Sequence, residues 1–217
     1  MPYQATHFGV GRYMTARTKR LSFLLLMISG LFILTLSLYS QCGENAGSLS
    51  TQHEIGDRID SLNGVYVYYN GSVSHVGGRN LAPDGYNLGL KYQCVEFVKR
   101  YYYEYYHHKM PDSYGHALSF FKPELGDGAQ NPDRGLLQFK NGGSTMPVVG
   151  DLIVFDGNLF NEFGHVAIIS RVDSSSIEII QQNPGPSADS RAEIPLVFVN
   201  QKWKVKRSDC LGWLRKE

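Results

Sequence analysis

The stretch from Leu90 to Arg100, read as Leu90-Lys91-Tyr92-Gln93-Cys94-Val95-Glu96-Phe97-Val98-Lys99-Arg100, constrains this chain most. It reads as a turn feeding a helix, with Cys94 on the first turn. Behind Cys94, the residues Phe97, Val98, Tyr101, Tyr102 and Tyr105 recur at three- and four-residue spacings. That is the period of a helix burying one face. A thiol at a helix start sits among unpaired backbone N–H groups and the positive end of the helix dipole. Such a setting favours the thiolate, which is the nucleophilic form. A free cysteine also serves simply as a small buried hydrophobe, so the stretch needs partners before it means chemistry.

The segments after it supply an antiparallel sheet. Asp151 to Phe155, Gly164 to Val172 and Ile177 to Asn183 are apolar, β-branched runs, as strands require. The short polar link Asp173-Ser174-Ser175 predicts a hairpin between the last two. Weaker strands are expected at Leu196 to Val199 and Gly212 to Arg215, and an earlier one at Gly64 to Tyr69. Lys122 to Met146 reads as loop. The helix is expected to stop near His107-His108-Lys109-Met110-Pro111, where basic side chains suit a C-terminus and proline cannot continue. Adjacent His107 and His108 point different ways and make a poor metal pair. A short helix is expected around Gly115 to Phe121. One helix followed by an antiparallel sheet is an α+β fold.

The start of the chain is of another kind. Arg12, Arg17, Lys19 and Arg20 precede an uncharged apolar run from Leu21 to Tyr39. A basic flank, an apolar core and a polar sequel are the layout of an export signal, and the run is long enough for a membrane anchor. Cys42 follows in Leu38-Tyr39-Ser40-Gln41-Cys42, which resembles a bacterial lipobox with Tyr39 and Gln41 at two of its signal positions, so Cys42 is a candidate lipidation site. The layout is then residues 1–41 as basic region plus signal or anchor, 42–60 as linker and 61–217 as the folded domain. The protein is expected outside the cytoplasm: anchored in the inner membrane, lipidated, or released to the periplasm or beyond. A net charge of +1 gives no electrostatic case for nucleic acid. Three cysteines make no disulfide framework. No metal or cofactor is implied, and a monomer is expected.

A cysteine nucleophile needs a base, and the base needs an orienting group. His165 opens a strand directly after Gly164. If Val172 pairs with Ser176 across the hairpin, Ala167 faces Gln181 and His165 faces Asn183. Alternation then puts His165, Gln181 and Asn183 on one face, with Gln181 as a diagonal neighbour in reach of the ring. Glu178 points to the other face. Strand-end polarity alone would also account for the two amides.

Taken together, these pieces resemble a CHAP domain, the family of cysteine- and histidine-dependent amidohydrolases and peptidases. The matching blocks are Gly64 to Tyr68, Lys91-Tyr92-Gln93-Cys94-Val95-Glu96-Phe97, Gly150-Asp151-Leu152-Ile153, Gly164-His165-Val166-Ala167-Ile168-Ile169, Gln182-Asn183 and Leu211-Gly212-Trp213. They run in the family's order from about Ser61 onward and are similar to the glutathionylspermidine amidase type. The resemblance implies a papain-like fold, with Cys94 on a helix as nucleophile and His165 on the sheet as base. The Cys94 backbone N–H, with Gln93 as a candidate second donor, would hold the oxyanion. The family places Glu or Asp where this chain has Gln181, so Gln181 or Asn183 must orient the imidazole here. A neutral amide fixes a tautomer but stabilises an imidazolium less. With an export segment, the expected substrate is a peptide amide in peptidoglycan. The alternatives are a small amide of the glutathionylspermidine kind, or an inactive domain that only binds.

Overall fold

A computed structural model describes residues 53–159, 161–185 and 188–217, together with Met27. Of the run Leu21 to Tyr39 only Met27 is among them, and Cys42 is not. Among the described residues no helix is long and apolar enough to cross a membrane.

One α-helix, α1 (Cys94–Glu104), packs against a large antiparallel sheet. The sheet has eight strands: β5 (Ala129–Asn131), β6 (Leu136–Lys140), β7 (Leu152–Phe155), β8 (His165–Val172), β9 (Ser176–Ile180), β10 (Arg191–Val199), β11 (Lys202–Val205) and β12 (Cys210–Arg215). Their order across it is β11-β10-β9-β8-β7-β12-β6-β5. Two small ribbons pair β1 (Arg58–Leu62) with β2 (Val65–Tyr68), and β3 (Arg79–Leu81) with β4 (Asn87–Leu90). A 3-10 turn spans Ala117–Phe120. Residues 53–217, as described, are therefore mostly sheet, with α1 as the exception.

Alternation along the central strands explains why both sheet faces are buried. On β8, Val166 and Ile168 join Phe97, Val98, Tyr101 and Tyr102 of α1 in one apolar cluster. Ala167 and Ile169 point the other way, into a second cluster around Trp213, Ile179 and Phe155. Each large side chain so buried contributes about 1.5–3 kcal/mol, which holds α1 to the sheet. Tyr102 fits there because its hydroxyl meets the Gly150 and Leu214 carbonyls at 3.1 and 3.2 Å.

Four expectations need correction. The helix ends at Glu104, where the chain turns through His107 at φ +50° and the His108 N–H returns to the Tyr102 carbonyl. This is a left-handed C-terminal cap. His108 binds the Arg134 carbonyl at 2.7 Å. The linker does not reach residue 60: β1 starts at Arg58, and Asp60 pairs with Arg191 at 2.9 Å. The predicted loop Lys122 to Met146 contains β5 and β6. Buried Gln138 disguised β6 as loop, but its amide serves the Lys122 backbone N–H and carbonyl at 2.9 and 2.7 Å. Finally, β9 stops at Ile180 rather than running to Asn183.

The β8–β9 register decides where the site falls. Next to the turn, Val172 pairs with Ile177 rather than Ser176. An extra residue at Ser170, whose hydroxyl bonds to the Glu178 carbonyl and carboxylate, then shifts the ladder. Beyond this bulge Ile169 faces Ile179 and Ile168 faces Ile180, the register the sequence predicts.

Candidate active site

Cys94 is the first residue of α1, and His165 is the first residue of β8. Both line one cleft of 490 Å³. The backbone N–H of Val166, next to His165, points to the Cys94 sulfur, as do those of Val95 and Cys94 itself. Burial pushes the Cys94 thiol up, and these three N–H groups pull it down less strongly. The resting group is therefore a thiol. The thiolate favoured by the helix start alone is outweighed by desolvation.

Gly164 brings β8 into place. It has φ +72°, and a Cβ there would lie 2.5 Å from the Phe155 carbonyl oxygen and 3.0 Å from the Leu118 side chain. A glycine at this point is needed for backbone and 3-10 turn to approach.

His165 Nε2 lies 3.0 Å from Gln181 Oε1. The orientation of that amide is fixed from behind, since Gln181 Nε2 donates to the Asp189 carbonyl at 3.0 Å. Gln181 therefore offers its oxygen, the imidazole carries its proton on Nε2, and Nδ1 is left with a lone pair. Burial pushes the imidazole down to about 4, against the Gln181 acceptor, which raises it; Arg207 lowers it further and Asp209 raises it. The Phe155 ring stacks beside His165, with centroids 6.3 Å apart, and Arg207 sits 4.0 Å over that same ring. A neutral thiol and a neutral imidazole with a free nitrogen can exchange a proton as bond formation proceeds.

The neighbouring amides do other work than the sequence suggests. Asn183 lies beyond the strand at φ +54°. Its Nδ2 donates to Gln93 Oε1 at 2.8 Å and to the Val73 carbonyl at 3.1 Å, not to His165. Gln93 in turn spends its own N–H groups on the His75 and Val73 carbonyls at 2.6 and 3.2 Å. Its side chain therefore has no donor to spare for an oxyanion. Glu178, as expected, is engaged elsewhere, with Arg191 at 2.9 Å.

Gln182 was not anticipated. Fully buried, it donates to the Gln93 carbonyl at 3.0 Å and to Glu96 at 2.7 Å, and accepts from the Tyr68 N–H at 2.8 Å. Glu96 is also fully buried, pairs with Arg100 at 2.6 Å and accepts from Asn80 at 2.8 Å. The three consecutive amides Gln181, Gln182 and Asn183 thus reach the imidazole, the carbonyl preceding the helix, and the Gln93 side chain. They tie the histidine strand to the cysteine helix. The charged pair Glu96 and Arg100, four residues apart on the helix, was the available signal, because buried charges require such partners.

Cys210 is a contrast. Burial pushes its thiol up to about 12, and the nearby Asp209 adds to the shift. Among the described residues no group of His, Cys, Asp and Glu side chains could hold a metal ion.

Residues 84–183 match the CHAP domain family. The chain carries a CHAP domain. The match takes in α1, β8, β9 and all three amides, while β1 to β3 precede it and β10 to β12 follow it. The chain is 32% identical over 147 residues to the bifunctional glutathionylspermidine synthetase/amidase of Escherichia coli (strain K12), covering 63% of this chain and 23% of that protein. The protein of that name from Shigella flexneri matches to the same extent. The trypanothione synthetase of Crithidia fasciculata is 28% identical over 119 residues, 55% of this chain and 18% of its own length. The chain thus spans less than a quarter of the length of these relatives.

Proposed function

We propose that this CHAP domain is a cysteine-dependent amidohydrolase with a papain-like arrangement. Cys94 attacks the amide carbonyl while His165 Nδ1 takes the thiol proton. The same nitrogen then protonates the leaving amine, and water drawn through it releases the acyl group from sulfur. Gln181 holds the imidazole tautomer, and the Cys94 backbone N–H faces the oxyanion. The observation that carries the reading is the relay from the Asp189 carbonyl through Gln181 to His165. It leaves the second imidazole nitrogen basic in the cleft that Cys94 lines.

For substrate, we favour a peptide amide of the cell wall, handled outside the cytoplasm. The basic flank before Leu21 to Tyr39 supports export, as a cleaved signal, an anchor or a lipoprotein modified at Cys42. A second reading, a small amide such as a glutathione–polyamine conjugate, is supported by the amidase relatives. One experiment separates the readings. The full chain and its Cys94→Ala variant are incubated with muropeptides and with glutathionylspermidine, and the products are identified by mass. Wall fragments cut only by the unmutated protein support the first reading, and cleavage of the conjugate alone supports the second. No cleavage of either leaves a domain that only binds. A reporter enzyme active only outside the cytoplasm, fused after Glu217, tests export and should be active.

A further inference from the structure

The segment Ile194 to Ser208 carries Lys202, Lys204, Lys206 and Arg207 and no Asp or Glu, in a chain whose net charge is +1. It holds the hairpin of β10 and β11, closed by Asn200 and Gln201 at φ +53° and +61°. Two left-handed residues in succession make the tight turn that suits a hairpin. At the tip Phe198 and Val199 are 55% and 58% exposed. Phe198 faces Trp203 across the ladder with ring centroids 4.7 Å apart, and Val199 faces Lys202. Arg207 is held by Asp209 at 2.8 Å, and the exposed Glu193 by Arg171 at 3.3 Å. Asp127 lines a groove with Lys202 but is engaged by the Lys140 backbone N–H at 2.7 Å. Among the described residues, the three exposed lysines have no salt-bridge partner.

We propose that the tip of this hairpin docks on an anionic phospholipid surface, with Phe198, Val199 and Trp203 entering the headgroup layer and Lys202 and Lys204 meeting the phosphates. Exposed apolar side chains among cations suit such a surface. Aromatic rings settle at the membrane interface, and lysines reach phosphates with their stems laid along apolar surface. Side chains alternate along a strand, so Lys202 and Lys204 stand on the face opposite Trp203. Both kinds reach a bilayer together when the hairpin enters tip first. Other occupants are disfavoured. A second copy would set the lysines against their own equivalents. An added strand finds no open edge, because the outward backbone groups of β11 are taken. Trp203 is paired with Gly142 and Gly143 at 2.8 Å each, and Val205 with the Asn141 side chain at 2.8 and 3.1 Å. An anchor at Leu21 to Tyr39, as proposed above, agrees with a bilayer as the partner. The docking is independent of the hydrolase reading, since neither Cys94 nor His165 takes part.

The test reads Trp203 by fluorescence, because the other tryptophan, Trp213, is fully buried. The full-length chain is combined by detergent dialysis with vesicles of phosphatidylcholine alone, or of phosphatidylcholine and phosphatidylglycerol in equal parts. Both preparations carry bromine on their acyl chains, which quenches an indole that enters the lipid. Quenching is expected in the anionic vesicles and not in the neutral ones, and it should vanish in Trp203→Phe. Lys202→Gln combined with Lys204→Gln should cut the ratio of docked to free hairpin about 30-fold, the effect of two lysines at an anionic surface. Lys216→Gln, an exposed cation outside the hairpin, should leave the quenching in place. Equal quenching in both vesicles, quenching in neither, or an equal loss with Lys216→Gln would overturn the proposal. So would a dimer in solution that Phe198→Ser dissociates, which assigns the tip to a second copy.

Discussion

Replacing Gln181 by Glu perturbs one contact whose consequences can be worked out. In the native site a neutral oxygen stands 3.0 Å from His165 Nε2, and the imidazole titrates at about 4. A carboxylate at that distance favours the imidazolium and raises such a pKa by about 1–3 units. The titration should therefore move to roughly pH 5–7, each unit representing about 1.4 kcal/mol. The change also removes the N–H that serves the Asp189 carbonyl at 3.0 Å and sets a carboxylate oxygen against it. Gln181 is 4% exposed, so the cost to folding should be about 1–3 kcal/mol, that of a buried acceptor left unpaired. Proton NMR of the imidazole across pH 3 to 8 reads the titration, and urea unfolding reads the cost. The more basic imidazole should also speed iodoacetamide labelling of Cys94 at pH 7 and raise turnover. Asn183→Ala should leave the imidazole titration in place, because Asn183 bonds to Gln93 and Val73. A midpoint unmoved in Gln181→Glu but shifted in Asn183→Ala would refute the assignment of Gln181 as the orienting group.

Three further outcomes follow from buried groups. Gln182→Ala strips a donor from fully buried Glu96 and from the Gln93 carbonyl. It should destabilise the fold by about 2–4 kcal/mol in urea unfolding and slow any Cys94-dependent hydrolysis. The His165 shift has a fixed sign: its folded value, about 4, lies below the ordinary 6.5. Its contribution to stability is fully present above pH 6.5 and is lost as pH falls toward 4, by at most about 3 kcal/mol. Urea midpoints at pH 7 and 4.5 should therefore differ less in His165→Asn than in the wild type. Iodoacetamide should label Cys94, which lines the cleft, before Cys210, whose thiol is held up at about 12; equal rates would count against the site.

Much of the site geometry was legible because it follows from local rules. The apolar spacing behind Cys94 set the helix and its buried residues Phe97, Val98, Tyr101 and Tyr102, while Tyr105 caps it and stays exposed, and hairpin counting brought Gln181 to His165. The counting worked for a reason the sequence hid. The turn sits one residue off, and the bulge at Ser170 restores the predicted register before His165 is reached. Hairpin ladders are set by turn and bulge together, and a serine in a strand does not announce a bulge. Asn183 was misplaced because β9 ends at Ile180 and the chain bends left-handed at Asn183. Gln93 was misjudged because its amide is consumed by the His75 and Val73 carbonyls of a loop with no readable period. The spacing of Glu96 and Arg100 was a local signal for a buried pair, while their tie to Gln182, distant in sequence, comes from packing. The thiolate expected from the helix start failed by magnitude: burial outweighs the three N–H groups at the sulfur.

The central claim is that Cys94 carries the acyl group. Full-length protein is mixed with an amide that it hydrolyses, quenched in acid within the first turnover, and weighed intact. The account predicts a mass gain equal to the acyl half of the substrate, mapped to the peptide containing Cys94 and missing from Cys94→Ala. Hydrolysis that continues in Cys94→Ala, or an acyl adduct mapped to any other residue, would contradict it.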